Sequence, residues 1–90
     1  MTISFRMKVE DLFRIGERTV FAGVLETEAG NIANVRCRVE VDGKPGDELY
    51  IQGEVHTGKP HRDLWTTSEV ALTTEIIKDR DVWLVSLQSS

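Results

Sequence analysis

The sequence predicts a small all-β protein, a six- to seven-stranded antiparallel barrel formed by a single domain over residues 1–90. Apolar residues recur at every second position in several short segments, which is typical of strands that bury one face. Turn-forming residues separate these segments, and no segment has a secure helical period. A chain of 90 residues has room for one core, so we expect one domain.

The N-terminal part predicts two antiparallel strands joined by a tight turn at Gly16-Glu17-Arg18. The first strand alternates apolar and polar residues until Glu10-Asp11 interrupts the pattern, where a bulge near Leu12 is compatible with the sequence. Residues 19–25 form the second strand, with β-branched residues at alternate positions. The apolar residues of the first strand, all on the odd-numbered parity that predicts burial, are Ile3, Phe5, Met7, Val9, Phe13 and Ile15.

Residues 35–41 form the clearest predicted strand, because apolar and charged side chains alternate strictly along it. Cys37 lies on the apolar face, which predicts core packing in preference to a nucleophilic role. Asp42-Gly43 predicts a turn, which residues 44–47 extend into a longer loop before a strand over residues 48–52. Gly53 is expected to end or bulge that strand.

The C-terminal third gives weaker signals. Residues 54–64 are polar and contain Gly58 and Pro60, which predicts a surface loop. Residues 66–77 fit a strand better than a helix, although Thr66-Thr-Ser-Glu69 could act as a capping box for a short helix over residues 70–72. A hairpin turn at residues 78–81 leads into a strand over residues 82–87, and residues 88–90 are expected to be a frayed tail.

Composition excludes several functional classes. The formal net charge is -4, so general attraction to a phosphate backbone is not expected. The apolar residues are dispersed, and neither a bilayer-spanning segment nor a secretory signal is recognisable, so we expect a cytoplasmic protein without membrane contact. The single cysteine excludes an intrachain disulfide and a cysteine-rich zinc site.

Two stretches carry a family resemblance. VEDLFRIGERTVFAGVLE, residues 9–26, resembles the first two strands of the second-domain β-barrel of elongation factor Tu and related translational GTPases. GKPGDELYIQG, residues 43–53, is similar to the family segment Ile-Lys-x-Gly-Asp-Glu-Val-x-Ile-x-Gly. Residues 27–42 stand between these stretches as an expected insertion with an extra strand.

The resemblance implies a stand-alone barrel of the elongation-factor domain 2 type, without the GTPase domain that accompanies it in the large factors. The sequence contains no Gly-x-x-x-x-Gly-Lys-Ser/Thr loop, so we expect no binding of a nucleoside triphosphate by this chain. In the large factors this barrel is a non-catalytic platform. The expectation is therefore a non-catalytic interaction module with no cofactor, whose partner is a protein or a second copy of the chain.

The residues expected to contact such a partner combine aromatic side chains with the polar loop. Phe21 and three further aromatic residues fall opposite the stronger apolar parity, which makes them candidates for surface positions. For the two tryptophans, packing across the barrel end or under a loop is the favoured interpretation. The loop adds donors that could also bind an anion. The predicted partner-binding set is Trp65, Trp83, Tyr50, Lys59, His61 and Arg62.

Two alternative functions stay open. An RNA-binding barrel would use Arg36, Arg38 and Lys44 together with the loop of residues 56–63. A small metal-dependent hydrolase would bind its ion through His56, His61 and Asp63, because imidazole and carboxylate groups are suitable zinc ligands and three of them leave a position for water. The spacing of these residues matches no recognised metal-binding motif, so a solvated loop with incidental histidines is the favoured interpretation.

Overall fold

The computed structural model describes residues 5–26, 32–57 and 61–87, and only the backbone of residues 55–57. Ile3, the tail at residues 88–90 and residues 27–31 of the expected insertion lie outside these ranges. Seven strands and one helix follow one another in the order β1 (Arg6–Ile15), β2 (Arg18–Leu25), β3 (Val35–Val41), β4 (Lys44–Ile51), β5 (Gly53–Thr57), β6 (His61–Thr66), α1 (Thr74–Asp79) and β7 (Val82–Ser86).

The strands form one antiparallel sheet in the order β4-β3-β7-β1-β2-β6-β5. The predicted all-β class is therefore confirmed. The sheet is not closed, because the described strand pairs do not include one between the edge strands β4 and β5. The expectation of a closed barrel was wrong in this respect.

The two edges of the sheet nevertheless meet at one corner. Gln52 is the single residue between β4, at one edge, and β5, at the other. Its backbone N–H donates to the carbonyl oxygen of Trp65 on β6 at 3.0 Å. The hydroxyl of Thr66 donates to the carbonyl oxygen of Tyr50 at 2.6 Å. The sheet therefore curls until its edges touch at Gln52, and they diverge from there toward the start of β4.

A bulge decides which face of β1 is buried. The register between β1 and β2 shifts between Val9 and Asp11, so Glu10 is an extra residue in β1. An extra residue reverses the parity of all positions that follow it. Leu12 is consequently buried, whereas Phe13 and Ile15 face solvent. The expectation that Phe13 and Ile15 lie in the core was wrong for this reason.

The turn between β3 and β4 is tighter than the sequence predicts. Val41 pairs directly with Lys44, and the two turn residues, Asp42 and Gly43, have φ values of 53° and 80°. Positive φ at both positions is typical of a type I′ hairpin turn. The loop expected over residues 44–47 therefore belongs to β4. Pro45 is tolerated there because β4 is an edge strand.

Two further expectations are corrected in the C-terminal third. Residues 54–57 and 61–64 lie in strands β5 and β6 instead of a loop. β6 pairs with β2 along its whole length, and its alternate residues face the core. Of the strand expected over residues 66–77, only Thr66 ends a strand; residues 74–79 form α1 instead. Thr73 caps this helix by accepting a hydrogen bond from the backbone N–H of Ile76. Residues 78–81 are accordingly the end of α1 and a short link to β7.

The core lies on the concave face of the sheet and is closed at one end by α1 and the preceding segment. Phe21 is fully buried in it, so its expected surface position was wrong. The alternation predicted for β3 is confirmed, with Cys37 fully buried. The buried apolar residues that form the cluster are Phe5, Met7, Val9, Leu12, Phe21, Ile32, Val35, Cys37, Val39, Leu49, Ile51, Leu64, Leu72, Ile77, Val82 and Leu84.

Candidate functional site

An exposed apolar surface lies on the convex face of the sheet, near the β1–β2 turn. The bulge at Glu10 turns Phe13 and Ile15 outward, with exposed fractions of 46% and 62%. Phe13 pairs with Val20 on β2, and Val20 pairs with Trp65 on β6, so these three side chains form one cross-strand row. We call the surface of Phe13, Ile15, Val20 and Trp65 the hairpin patch.

Arg18 lies at the edge of the hairpin patch. The guanidinium carbon of Arg18 lies 4.2 Å from the centre of the Trp65 ring, which is cation–π geometry. Val20 is buried although it does not belong to the concave core cluster, which indicates cover from its neighbours in the row. The patch is thus a packed platform of aromatic and aliphatic groups beside an arginine. Such composition is enriched in protein–protein contacts.

Trp65 and Trp83 both face outward but do not meet. Strands β2 and β1 separate their strands β6 and β7. Trp83 pairs with Lys8 on β1, and Lys8 pairs with Val24 on β2. This cross-strand row ends at His61 on β6, four residues before Trp65. Arg6 lies over the Trp83 ring at 4.8 Å and Lys8 at 5.9 Å. Trp83 therefore belongs to a separate surface, on which Arg6 and Lys8 are ion-paired with Glu26 and Asp81.

The other predicted partner-contacting residues are distributed around the molecule. Tyr50, 41% exposed, lies on the edge strand β4, and its hydroxyl donates to the side-chain oxygen of Asn34 at 3.2 Å. His61 is exposed on the convex face, where its Nε2 lies 3.3 Å from Glu10 Oε1. Arg62 points to the concave side and pairs with Glu54 at 2.9 Å, with side-chain exposures of 12% and 9%. Lys59 lies outside the described residues.

The three predicted metal ligands are partly brought together by the backbone. His56 pairs with Asp63 across the β5–β6 hairpin, and His61 lies two residues from Asp63 on the same strand. The side chain of His56 lies outside the described residues. Among the side chains that are described, no three His, Cys, Asp or Glu residues are grouped as metal ligands. The metal site therefore stays a prediction that depends on His56.

The positive strip predicted for RNA is interrupted by acidic residues. Arg36 pairs with Glu48 at 2.7 Å across the β3–β4 hairpin. Lys44 stands at the turn, at the other end of the hairpin from Arg36. Glu40 lies between them on the same face of β3 as Arg36 and Arg38. One of the three cations is thus neutralised directly, and the others are flanked by negative charge.

The buried thiol has no catalytic features. Cys37 is fully buried, and desolvation raises the pKa of its thiol to about 12. A thiol in this state is protonated near neutral pH and is a poor nucleophile. The prediction that Cys37 is a packing residue is therefore confirmed.

An apolar cleft opens where the edges of the sheet diverge, and the sequence did not point to it. It has a volume of about 410 Å³ and lies between strands β3 and β4 on one side and residues 69–72 with α1 on the other. Arg14 holds the second wall in place by donating to the carbonyl oxygens of Val70 and Leu72, both at 3.0 Å. The position of an irregular segment such as 69–72 depends on these tertiary contacts, so no local sequence signal predicts the cleft.

No family model, curated protein or solved structure matches this chain. Across residues 5–26, 32–57 and 61–87, no helix has the length and apolar character needed to cross a bilayer.

Proposed function

We propose that this chain is a non-catalytic interaction module that binds a protein partner through the hairpin patch. The observation that supports the proposal is the outward position of Phe13 and Ile15, side by side on β1 and next to the Trp65–Arg18 pair. Large apolar side chains that are exposed together mark interaction surfaces more often than isolated exposed residues do. Covering them with a partner would remove apolar area from water.

The proposal includes the resemblance to the second-domain barrel of elongation factor Tu. Residues 9–26 supply the β1–β2 hairpin and residues 43–53 supply β4 with its turn, which agrees with the strand positions that the resemblance implies. The sheet also curls until its edges meet at Gln52. In this proposal the hairpin patch belongs to the same hairpin that carries the resemblance.

The alternatives have less support. RNA binding would rely on Arg38 and Lys44, since Arg36 is paired with Glu48. A metal-dependent hydrolase would require the side chain of His56 to join His61 and Asp63. Neither alternative uses the exposed apolar residues of β1, which the proposed protein contact explains directly.

Site-specific crosslinking tests the proposal. A photoreactive phenylalanine derivative is placed at Ile15 and, in a control protein, at Lys78, which is exposed on α1. Irradiation in cell extract should give a discrete protein adduct from position 15 and none from position 78. Equal labelling from both positions, or none from either, would count against the patch.

Affinity measurements then follow on the captured partner, or on the dimer if the adduct is a second copy. Phe13→Ser should weaken binding about thirtyfold, the equivalent of about 2 kcal/mol for a central interface residue. Lys78→Ser is the matched control and should leave the affinity unchanged. Sedimentation velocity distinguishes a dimer of this chain from a complex with another protein.

A further inference from the structure

The free edge of β4 faces the apolar cleft. Near the corner of the sheet, the outward backbone groups of Tyr50 are occupied: its N–H donates to the Ser68 hydroxyl at 3.4 Å and its carbonyl accepts from Thr66 at 2.6 Å. Backbone groups in an antiparallel strand point to alternate sides. The N–H and carbonyl of Glu48, two residues earlier, therefore point to the same side as those of Tyr50. Asp47 and Leu49, the residues on either side of Glu48, line the cleft.

The floor and walls of the cleft are aliphatic. Val39 and Leu49 contribute from the sheet, and Val70, Leu72 and Ile76 contribute from the opposite wall. The volume of about 410 Å³ falls within the range of roughly 300–1,000 Å³ that is usual for ligand pockets. The interior can therefore accept aliphatic side chains but offers no charged group to a polar ligand.

The charge at the rim of the cleft is negative. Asp47 on β4 and Glu69 on the opposite wall both line the cleft. Across the described part of the chain, neither carboxylate has an ion pair, whereas Arg80, one of the two rim cations, has one. Among these described residues, two unpaired carboxylates therefore stand against one unpaired cation, Arg14. Arg80 pairs with Asp42 at 2.9 Å, and Arg14 donates to the carbonyl oxygens of Val70 and Leu72. A ligand that complements this site combines an aliphatic group with a positive charge.

We propose that the cleft binds an extended basic peptide segment as an added strand on β4. One aliphatic side chain of the segment enters the cleft, and a Lys or Arg two residues away, on the same face of the added strand, lies between Asp47 and Glu69. The segment's backbone bonds to the N–H and carbonyl of Glu48, as in other cases where a peptide extends a sheet edge. This site is independent of the hairpin patch, because it opens on the concave face of the sheet and the patch lies on the convex face.

Fluorescence anisotropy with short labelled peptides tests the proposal. The probe is an acetylated, amidated peptide of six residues in which lysine and leucine alternate at positions 1, 3 and 5, on one face of the extended chain, and threonine occupies positions 2, 4 and 6. Three comparison peptides replace every lysine with glutamate, replace every leucine with serine, or carry N-methyl groups on the backbone amides of one edge. The lysine–leucine peptide should bind at least tenfold more tightly than each of the three. Equal binding of the glutamate peptide or of the serine peptide would overturn the proposal.

Protein variants distinguish binding of the peptide in the cleft from general attraction of a basic peptide to an acidic protein. The double variant Asp47→Asn, Glu69→Gln should weaken the probe about tenfold, because it removes both rim charges. The control double variant Glu17→Gln, Asp79→Asn changes the net charge equally at two other exposed positions and should bind the probe as the unmodified protein does. Equal losses in the two double variants would refute a specific site.

Two more measurements define the occupant. Ile15→Ser alters the hairpin patch and should leave peptide affinity unchanged, so failure of one site is distinguishable from failure of the other. Hexylamine offers the same aliphatic and cationic groups without a peptide backbone, and should compete only weakly. Competition by hexylamine at the peptide's own affinity would overturn strand addition.

Discussion

Replacing Leu12 and Phe13 separately by alanine tests the bulge at Glu10, on which the hairpin patch depends. Leu12 is 6% exposed and belongs to the core cluster, so its truncation leaves a cavity. Such substitutions reduce the free energy of unfolding by about 2–5 kcal/mol. Phe13 is 46% exposed and lies outside the core. With about half of its side chain already in water and no cavity formed, its truncation should cost about 1 kcal/mol.

Equilibrium unfolding in urea measures both losses of stability. When the free energy of unfolding depends on urea concentration with the same slope in both variants, their midpoints compare their stabilities directly. Leu12→Ala should lower the midpoint clearly more than Phe13→Ala does. Ile15→Ala, at a still more exposed position, should cost no more than Phe13→Ala. If Phe13→Ala is as destabilising as Leu12→Ala, the parity of β1 after the bulge is not the one described, and the hairpin patch does not exist.

Three further predictions concern stability and reactivity. Gly23→Ala should destabilise the fold by at least about 1–3 kcal/mol, because the added methyl group would overlap the backbone carbonyl oxygen of Lys8; an unchanged thermal midpoint would contradict this close approach. Cys37 should resist an aromatic disulfide reagent at pH 8 in the folded protein and react fully in urea, since burial raises the pKa of its thiol to about 12; rapid reaction before unfolding would show that the thiol is accessible. The backbone N–H of Asp81 lowers the pKa of Asp42, and Lys8 lowers the pKa of Asp81. Both carboxylates therefore stabilise the fold fully when the pH is above their ordinary pKa of 3.8. They lose that contribution as the pH falls through their lower pKa values in the folded state. Urea unfolding between pH 5 and 2 should therefore show a steeper loss of stability for the unmodified protein than for Asp42→Asn.

Strict alternation is what made part of the fold predictable. β3 was predicted correctly because Val35, Cys37 and Val39 share one face while charged residues occupy the other. β2 was located correctly, but the direction of Phe21 was not. Its buried face also carries Thr19 and Gly23, and its outer face carries Val20, so polarity did not distinguish the two faces of this strand.

The errors arose where tertiary contacts outweigh local pattern. Over the six residues of α1, helical and strand periods cannot be separated, and the helix is held by the burial of Ile77 and by its cap at Thr73. The polar residues of the β5–β6 hairpin resembled a loop because the sequence does not show that β2 pairs with β6. For the candidate sites, the parity of Trp65 left an outward position open while packing was the favoured interpretation. Phe13 and Ile15 were assigned to the core because the pattern did not require the bulge.

The position of β7 has a consequence for how the molecule forms. β7 is the last described strand along the chain, yet it lies between β3 and β1 and pairs with both. Until Val82–Ser86 has been synthesised and has left the ribosome, the β3–β4 hairpin has no strand to connect it to β1 and β2. During translation the nascent chain therefore holds two partial sheets with unpaired edges and uncovered apolar faces, a state in which chaperones would find binding sites and neighbouring chains could aggregate.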